Sequence, residues 1–340
     1  MRYYLMKSKT TPQTAPKKAP VARFCTTTKK DCLKVMQTFS ASDFPTLDVA
    51  VVAALELFIQ KGMITFTLPK FKRALFVGSG NAIVTGQIIA HLSKLDAVFA
   101  DEGSYNSVLE TAKGVDGAIL VSASGSKHAI SIAKDLQQRK LPTALFTTNP
   151  DAPAMDIVGA KRTHIFPRNR EPYTYNTSTY MGMILAASKE DPKKILAFIT
   201  KYVEPLFSQI QKKSAYVLLV EPRFDLVRPL LYTKFDELFG GEITGRIFTT
   251  EQTKHAKTVV KSKDEFFISF GFANKFYGYA QNRLTVPLPK WADLGAVMAI
   301  SYFVVGMIQT KQDAYFAQNI VSYCKDASKI FKQDLKPIVE

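Results

Sequence analysis

The chain has 340 residues, 46% hydrophobic and 22% charged, which is long enough for two domains with buried cores and too apolar for a disordered polymer. Three cysteines, Cys25, Cys32 and Cys324, are too few for a disulfide scaffold and hold no close pair of the kind a structural zinc site needs. With no secretory signal in view, the expected setting is reducing and cytoplasmic.

The formal charge of +16 raises a nucleic-acid reading, but the charge is unevenly spread. Arg2, Lys7, Lys9, Lys17, Lys18, Arg23, Lys29, Lys30 and Lys34 face one acid, Asp31, so this first stretch holds half the excess. Residues 1–40 are therefore expected as a basic, flexible tail, open to an anionic partner such as RNA or a lipid surface. A targeting presequence fits less well, because Lys outnumbers Arg and no apolar h-region is present.

Thr46–Lys61 is apolar all round, the pattern of a buried helix. Short β-rich runs follow at 74–78, 96–100, 117–122, 143–148 and 163–167, separated by segments of helical period at 81–94 and 127–138. Such alternation predicts βαβ units and a parallel sheet. A helix begins at 179–188, and residues 193–213 read as a connecting helix. The rhythm then restarts, with strands at 215–221, 265–271 and 283–289 and helices at 224–238, 291–309 and 313–331. Residues 291–308 approach the length of a membrane span, but Asp293 interrupts them and a core helix explains them better, so no membrane span is expected.

Two strand-to-helix loops carry the chemistry. The first is Gly78-Ser79-Gly80-Asn81 and the second is Ser122-Ala123-Ser124-Gly125-Ser126-Lys127. Glycine permits close backbone approach, serine adds donors without bulk, and a helix N-terminus favours negative charge, so both suit phosphate. A dinucleotide fingerprint would need a third glycine where Ile83 stands, so no nucleotide cofactor is expected. No metal site is expected either.

These two loops resemble those of the sugar isomerase (SIS) domain family, in the form found in the isomerase half of glucosamine-6-phosphate synthase and in related stand-alone deaminases and deglycases. The resemblance runs from about Arg73 to the C-terminus. It implies two doubly wound, flavodoxin-like α/β domains in tandem: residues 41–190 with the leading helix, a connecting helix over 191–213, and residues 214–340. It implies that Ser122, Ala123 and Ser124 grip a sugar phosphate and that Gly78–Asn81 contacts sugar or phosphate. A Thr/Ser-rich turn after the fifth strand, with Glu171, Thr174, Asn176, Thr177 and Ser178, is similar to the family's. Lys127 stands where the family usually has Thr, and Ser178 where it has Lys.

In the second half, Lys234-Phe-Asp-Glu237 and Glu251-Gln-Thr-Lys254-His255 match the order of the family's Lys-x-x-Glu and its later Lys-His stretch. Ala256-Lys257 departs from the Gly-Pro that follows there. The resemblance implies Glu237 as the base that moves a proton between C1 and C2, His255 as the ring-opening group, Lys234 as stabiliser of an enediolate, and Lys336 in a chain end that closes over the ligand. These types fit the chemistry, since a carboxylate can shuttle a carbon-bound proton and an ammonium can stabilise the resulting oxyanion. The expected function is aldose–ketose isomerisation, with deamination or deglycation as variants, of a 6-phospho sugar or amino sugar, without cofactor. The alternative is a sugar-phosphate-binding regulatory protein without turnover. About 70 residues ahead of the first domain are too few for a glutaminase domain, and Pro12, Pro16 and Pro20 argue against a DNA-binding helix-turn-helix. A homodimer is expected, with the apolar helix 46–61 offering the surface.

Overall fold

The computed structural model describes residues 31–340. The basic tail up to residue 30 lies outside them. From Asp31 onward the chain is already ordered: the Asp31 side chain caps α1 (Cys32–Thr38), which packs on α2 (Leu47–Lys61) through the buried Cys32 and Met36. Cys324 is a free, buried thiol.

Next come β1 (Ala74–Val77), α3 (Asn81–Leu92), β2 (Ala97–Ala100), α4 (Tyr105–Thr111), β3 (Gly117–Val121), α5 (His128–Gln138), β4 (Thr143–Thr147), α6 (Met155–Val158) and β5 (Thr163–Ile165). The five strands are parallel in the order β2-β1-β3-β4-β5, the flavodoxin-like winding expected from the sequence. A short β6 (Glu171–Pro172) and α7 (Thr177–Ser188) follow. The connecting helix is shorter than expected: α8 (Pro192–Phe198) passes through a π-helical turn into 3-10 turns that start at Glu204-Pro205. Pro205 has no N–H to continue an α-helical ladder.

The second half holds β7 (Ala215–Val220), α9 (Arg228–Phe239), β8 (Thr244–Thr249), α10 (Thr250–Lys254), β9 (Glu265–Phe270), β10 (Arg283–Val286), α11 (Leu294–Lys311), α12 (Tyr315–Phe331) and β11 (Ile338–Val339). Its four-stranded sheet is also parallel, ordered β10-β9-β7-β8. It therefore repeats the winding of the first four strands. β8 is a strand that the sequence reading did not include. β11 turns back and pairs antiparallel with β6, bringing the C-terminal segment to the first sheet's rim.

Period-two alternation decides which side of each strand faces what. In β3, Ile119 and Val121 join a central core while Ala118 and Leu120 pack on α5 through Ala129, Ile132 and Leu136. In β7, Tyr216, Leu218 and Val220 join the same central core, and Val217 and Leu219 face the other way. The two sheets therefore share one continuous apolar core, filled by α2, α7, α9 and α11. The outer face of the second sheet is covered by Phe248 of β8 itself and by Phe272 and Tyr277 from the irregular segment after β9. Helix α2 is consumed by α1, α7, α8 and α11, so it offers no free surface for the expected dimer. Among the described residues α11 alone is long and apolar enough to cross a membrane, and it is the buried core helix expected.

Candidate functional site: a phosphate-sized cleft and a buried lysine–glutamate pair

Both glycine/serine loops sit at the carboxyl ends of β1 and β3, neighbours in the first sheet, where open parallel sheets bind ligands. Gly78 is buried against Val121, and a Cβ there would lie 3.0 Å from the Val121 carbonyl oxygen. Gly80 adopts φ +56, a conformation that glycine takes at little cost. The second loop is pinned from behind. The Ala123 carbonyl accepts from Thr147 Oγ1 (3.0 Å), Thr148 N (3.1 Å) and Thr148 Oγ1 (3.1 Å), while Asn149 Nδ2 donates to the Ser124 carbonyl (3.0 Å). The Ala154 N–H donates to the Gly125 carbonyl (2.9 Å). In a planar trans peptide the N–H points opposite to the C=O. Anchoring the Ala123 carbonyl therefore turns the Ser124 N–H away from the scaffold.

The serine hydroxyls are used inside the loop, Ser122 Oγ accepting from Gly125 N (3.1 Å) and Ser124 Oγ meeting Ser126 Oγ (2.8 Å). Neither serine caps α5. That position belongs to Lys127, which caps without a side-chain bond, and Gly80 does the same for α3. The two helix N-termini thus keep their partial positive charge for a ligand. Lys127 holds φ +53, and its ammonium donates to Gln333 Oε1 in the C-terminal segment.

Between the loops lies a cleft of about 230 Å³ lined by Gly78, Ser79, Ser122, Ala123, Ser124 and Lys127 among the expected residues. Gly80, Asn81 and Gly125 shape its loops without lining it. Two side chains that the sequence reading did not place there also line it, Glu102 and Tyr180, together with His128 from the start of α5, just after the second loop. The Asn81 Oδ1 behind the first loop is buried with no hydrogen-bond partner.

The expected catalytic pair forms a second centre. On α9, Lys234 is fully buried and its ammonium donates to Glu237 Oε2 (2.5 Å), the Thr174 carbonyl (2.9 Å) and the Tyr175 carbonyl (2.8 Å). Its three N–H groups are all used. The turn they hold is strained, with Thr174 at φ +75 and Asn176 at φ +45. Glu171 sits beneath it, 4% exposed, and its two oxygens accept the Thr177 and Ser178 N–H groups at 2.7 Å each, capping α7. Thr174 Oγ1 and Thr177 Oγ1 are buried without partners.

Burial pushes the Glu171 carboxyl up, against the pull of the Ser178 and Thr177 N–H groups and the Lys234 charge. Burial likewise pushes Glu237 up, and the Lys234 ammonium only partly offsets this. Tyr180 and Tyr302 are pushed up by burial and then by the Glu237 charge. Glu237 opens on a cleft of about 330 Å³ with Thr174, Asp236, Tyr315 and Tyr323. Tyr180 lines the phosphate-sized cleft, and the Glu237 charge adds to the burial that pushes its phenol up.

The other two catalytic candidates lie elsewhere. His255 is exposed at the C-terminal cap of α10, past the carboxyl end of β8, whereas Glu237 is in the last turn of α9 before β8 begins. Six strand residues rise roughly 20 Å. The structure does not bring His255 to Lys234 and Glu237. Lys336 is exposed and paired with Asp334 (3.7 Å), while the segment around it docks on β6 and the Pro337 carbonyl accepts the Tyr173 N–H (2.9 Å). No group of three or more His, Cys, Asp or Glu side chains able to hold a metal occurs among the described residues.

Three solved structures place this architecture. Glucosamine-6-phosphate deaminase from Thermotoga maritima superposes with a TM-score of 0.55 at 12% identity, covering 83% of this chain and 94% of its own. Tagatose-6-phosphate ketose/aldose isomerase from Escherichia coli gives 0.55 at 12%, covering 78% and 88%. The C-terminal domain of glucosamine-fructose-6-phosphate aminotransferase from Francisella tularensis gives 0.51 at 12%, covering 80% and 94%. This chain shares the fold of these three proteins. No family model matches the sequence, and no curated protein does.

Proposed function

We propose that this chain binds a phosphorylated sugar with its phosphate on the Ser122–Lys127 loop, and that Glu237 moves the proton between C1 and C2. The observation that carries the reading is the cleft between two uncapped helix N-termini, with Ser79, Ser122, Ser124 and Lys127 on its walls. A carboxyl raised by burial is closer in proton affinity to a substrate C–H than an ordinary glutamate, which suits a base. Tyr180 marks the path along which the sugar would extend from the phosphate towards Glu237.

A second reading, a sugar-phosphate binder without turnover, is favoured by one observation: Lys234 has no N–H left for an enediolate. One pair of measurements separates the two. Fructose-6-phosphate, glucose-6-phosphate and glucosamine-6-phosphate are screened for thermal stabilisation and for turnover. Glu237→Gln should cut turnover by at least about a hundredfold and leave binding within a few-fold. Stabilisation without turnover in the unaltered protein selects the second reading. A Glu237→Gln variant that stays active removes the residue from the chemistry.

A further inference from the structure

The phosphate-sized cleft carries a charge that phosphate alone does not explain. Glu102 lies just beyond the carboxyl end of β2, exposed, and lines the same cleft as Ser122, Ser124 and Lys127. Its neighbour Asp101, also exposed, is engaged in the turn, accepting from Ser104 Oγ (2.7 Å), Ser104 N (2.9 Å) and Gly103 N (3.0 Å). Glu102 has no such partner among the described residues. The ammonium of Lys127 is hydrogen-bonded to the neutral Gln333, so its charge is also uncompensated. Among the described residues, the cleft's walls therefore carry one ammonium and one carboxylate without an ion-pair partner, together with the neutral donors of the two loops.

A carboxylate within a few ångströms of a bound phosphate repels it. The same carboxylate becomes favourable if the ligand carries a cation towards it. The geometry points to Glu102 as a specificity residue that selects phosphosugars bearing a free amino group. It would take the ammonium while the loops and Lys127 take the phosphate. This rests on the sugar-phosphate reading of the cleft and goes beyond it by choosing within that class. A neutral sugar hydroxyl can also donate to Glu102, but it leaves the repulsion between carboxylate and phosphate in place. A hexose phosphate with the amino group remote from the phosphate matches a cleft whose two charges stand on different loops.

The test is calorimetric titration of the full chain with glucosamine-6-phosphate, N-acetylglucosamine-6-phosphate and glucose-6-phosphate, before and after Glu102→Gln. The exposed position lets the variant fold. Glucosamine-6-phosphate should bind at least tenfold more tightly than the two analogues that lack an ammonium, which corresponds to about 1.4 kcal/mol. Glu102→Gln should erase that preference from both sides, weakening the amino sugar and tightening glucose-6-phosphate. Equal binding of all three to the unaltered protein, or a preference that survives Glu102→Gln, overturns the assignment while leaving the phosphate site standing. If none of the three binds, the sugar-phosphate reading itself falls, and the role of Glu102 with it.

Discussion

At the scale of single residues, Lys234 is the side chain on which most depends. A fully buried ammonium with three oxygen partners is stable only while all three stay in place. Lys234→Met would keep the stem's volume but strand the Glu237 carboxylate and two carbonyls. The variant should lose about 3–5 kcal/mol in urea unfolding, the usual cost of breaking a buried pair by removing one partner. Glu171 offers a pH signature. Its folded pKa is raised, so its contribution is fully present below the unfolded carboxyl value and is lost as pH rises through the folded one. Stability should therefore fall from about pH 4.3 upward over that window, and Glu171→Gln should flatten this part of the profile. The serines of the phosphate loop give the simplest check: Ser122→Ala with Ser124→Ala should weaken any bound sugar phosphate at least tenfold, about 1.4 kcal/mol, by titration. Unchanged affinity would move the phosphate elsewhere.

At the scale of elements, most of the first sheet was legible because its strands are short apolar runs between glycine-marked loops. All five expected strands formed, and the two loops expected to meet at one rim do meet there. The elements that sequence reading missed share a physical reason. β8 carries Gly245 and Arg246 in a six-residue strand, so its alternation is weak. The glycine is there because the Phe235 ring of α9 packs where a Cβ would stand, 2.1 Å away. α4 buries no residue and so leaves no apolar stripe to read. Glu102 and Tyr180 went unread because nothing in their local sequence marks them; only the sheet order, which brings β2 beside β1 and α7 beside α3, puts them at the cleft. Helix packing gives a sharper test. Gly306 of α11 lies so close to α2 that a Cβ would fall 2.0 Å from the Asp48 backbone nitrogen. Gly306→Ala must push two core helices apart and should cost about 2 kcal/mol or more, read as a lowered unfolding midpoint. A neutral result would mean that the α2–α11 contact is looser than described.

At the scale of the whole molecule, the sequence suggested two units in series, and the sheets do repeat one winding. What periodicity could not reveal is that the inner faces of both sheets are buried by the same helices, because contacts between α2, α7, α9 and α11 join residues far apart in the chain. A core of that kind leaves little that can open by itself. Its consequence is that protection travels. A ligand held only by loops of the first sheet, present at a hundred times its dissociation constant, adds about 2.7 kcal/mol to any opening that also releases it. If the sheets open together, the slowest-exchanging amides of β7 and β9 should slow by about a hundredfold alongside those of β1 and β3, although no atom of the second sheet touches the phosphate loops' cleft. Deuterium exchange with and without saturating sugar phosphate reads this directly, and slowing confined to the first sheet would show that the shared core can part.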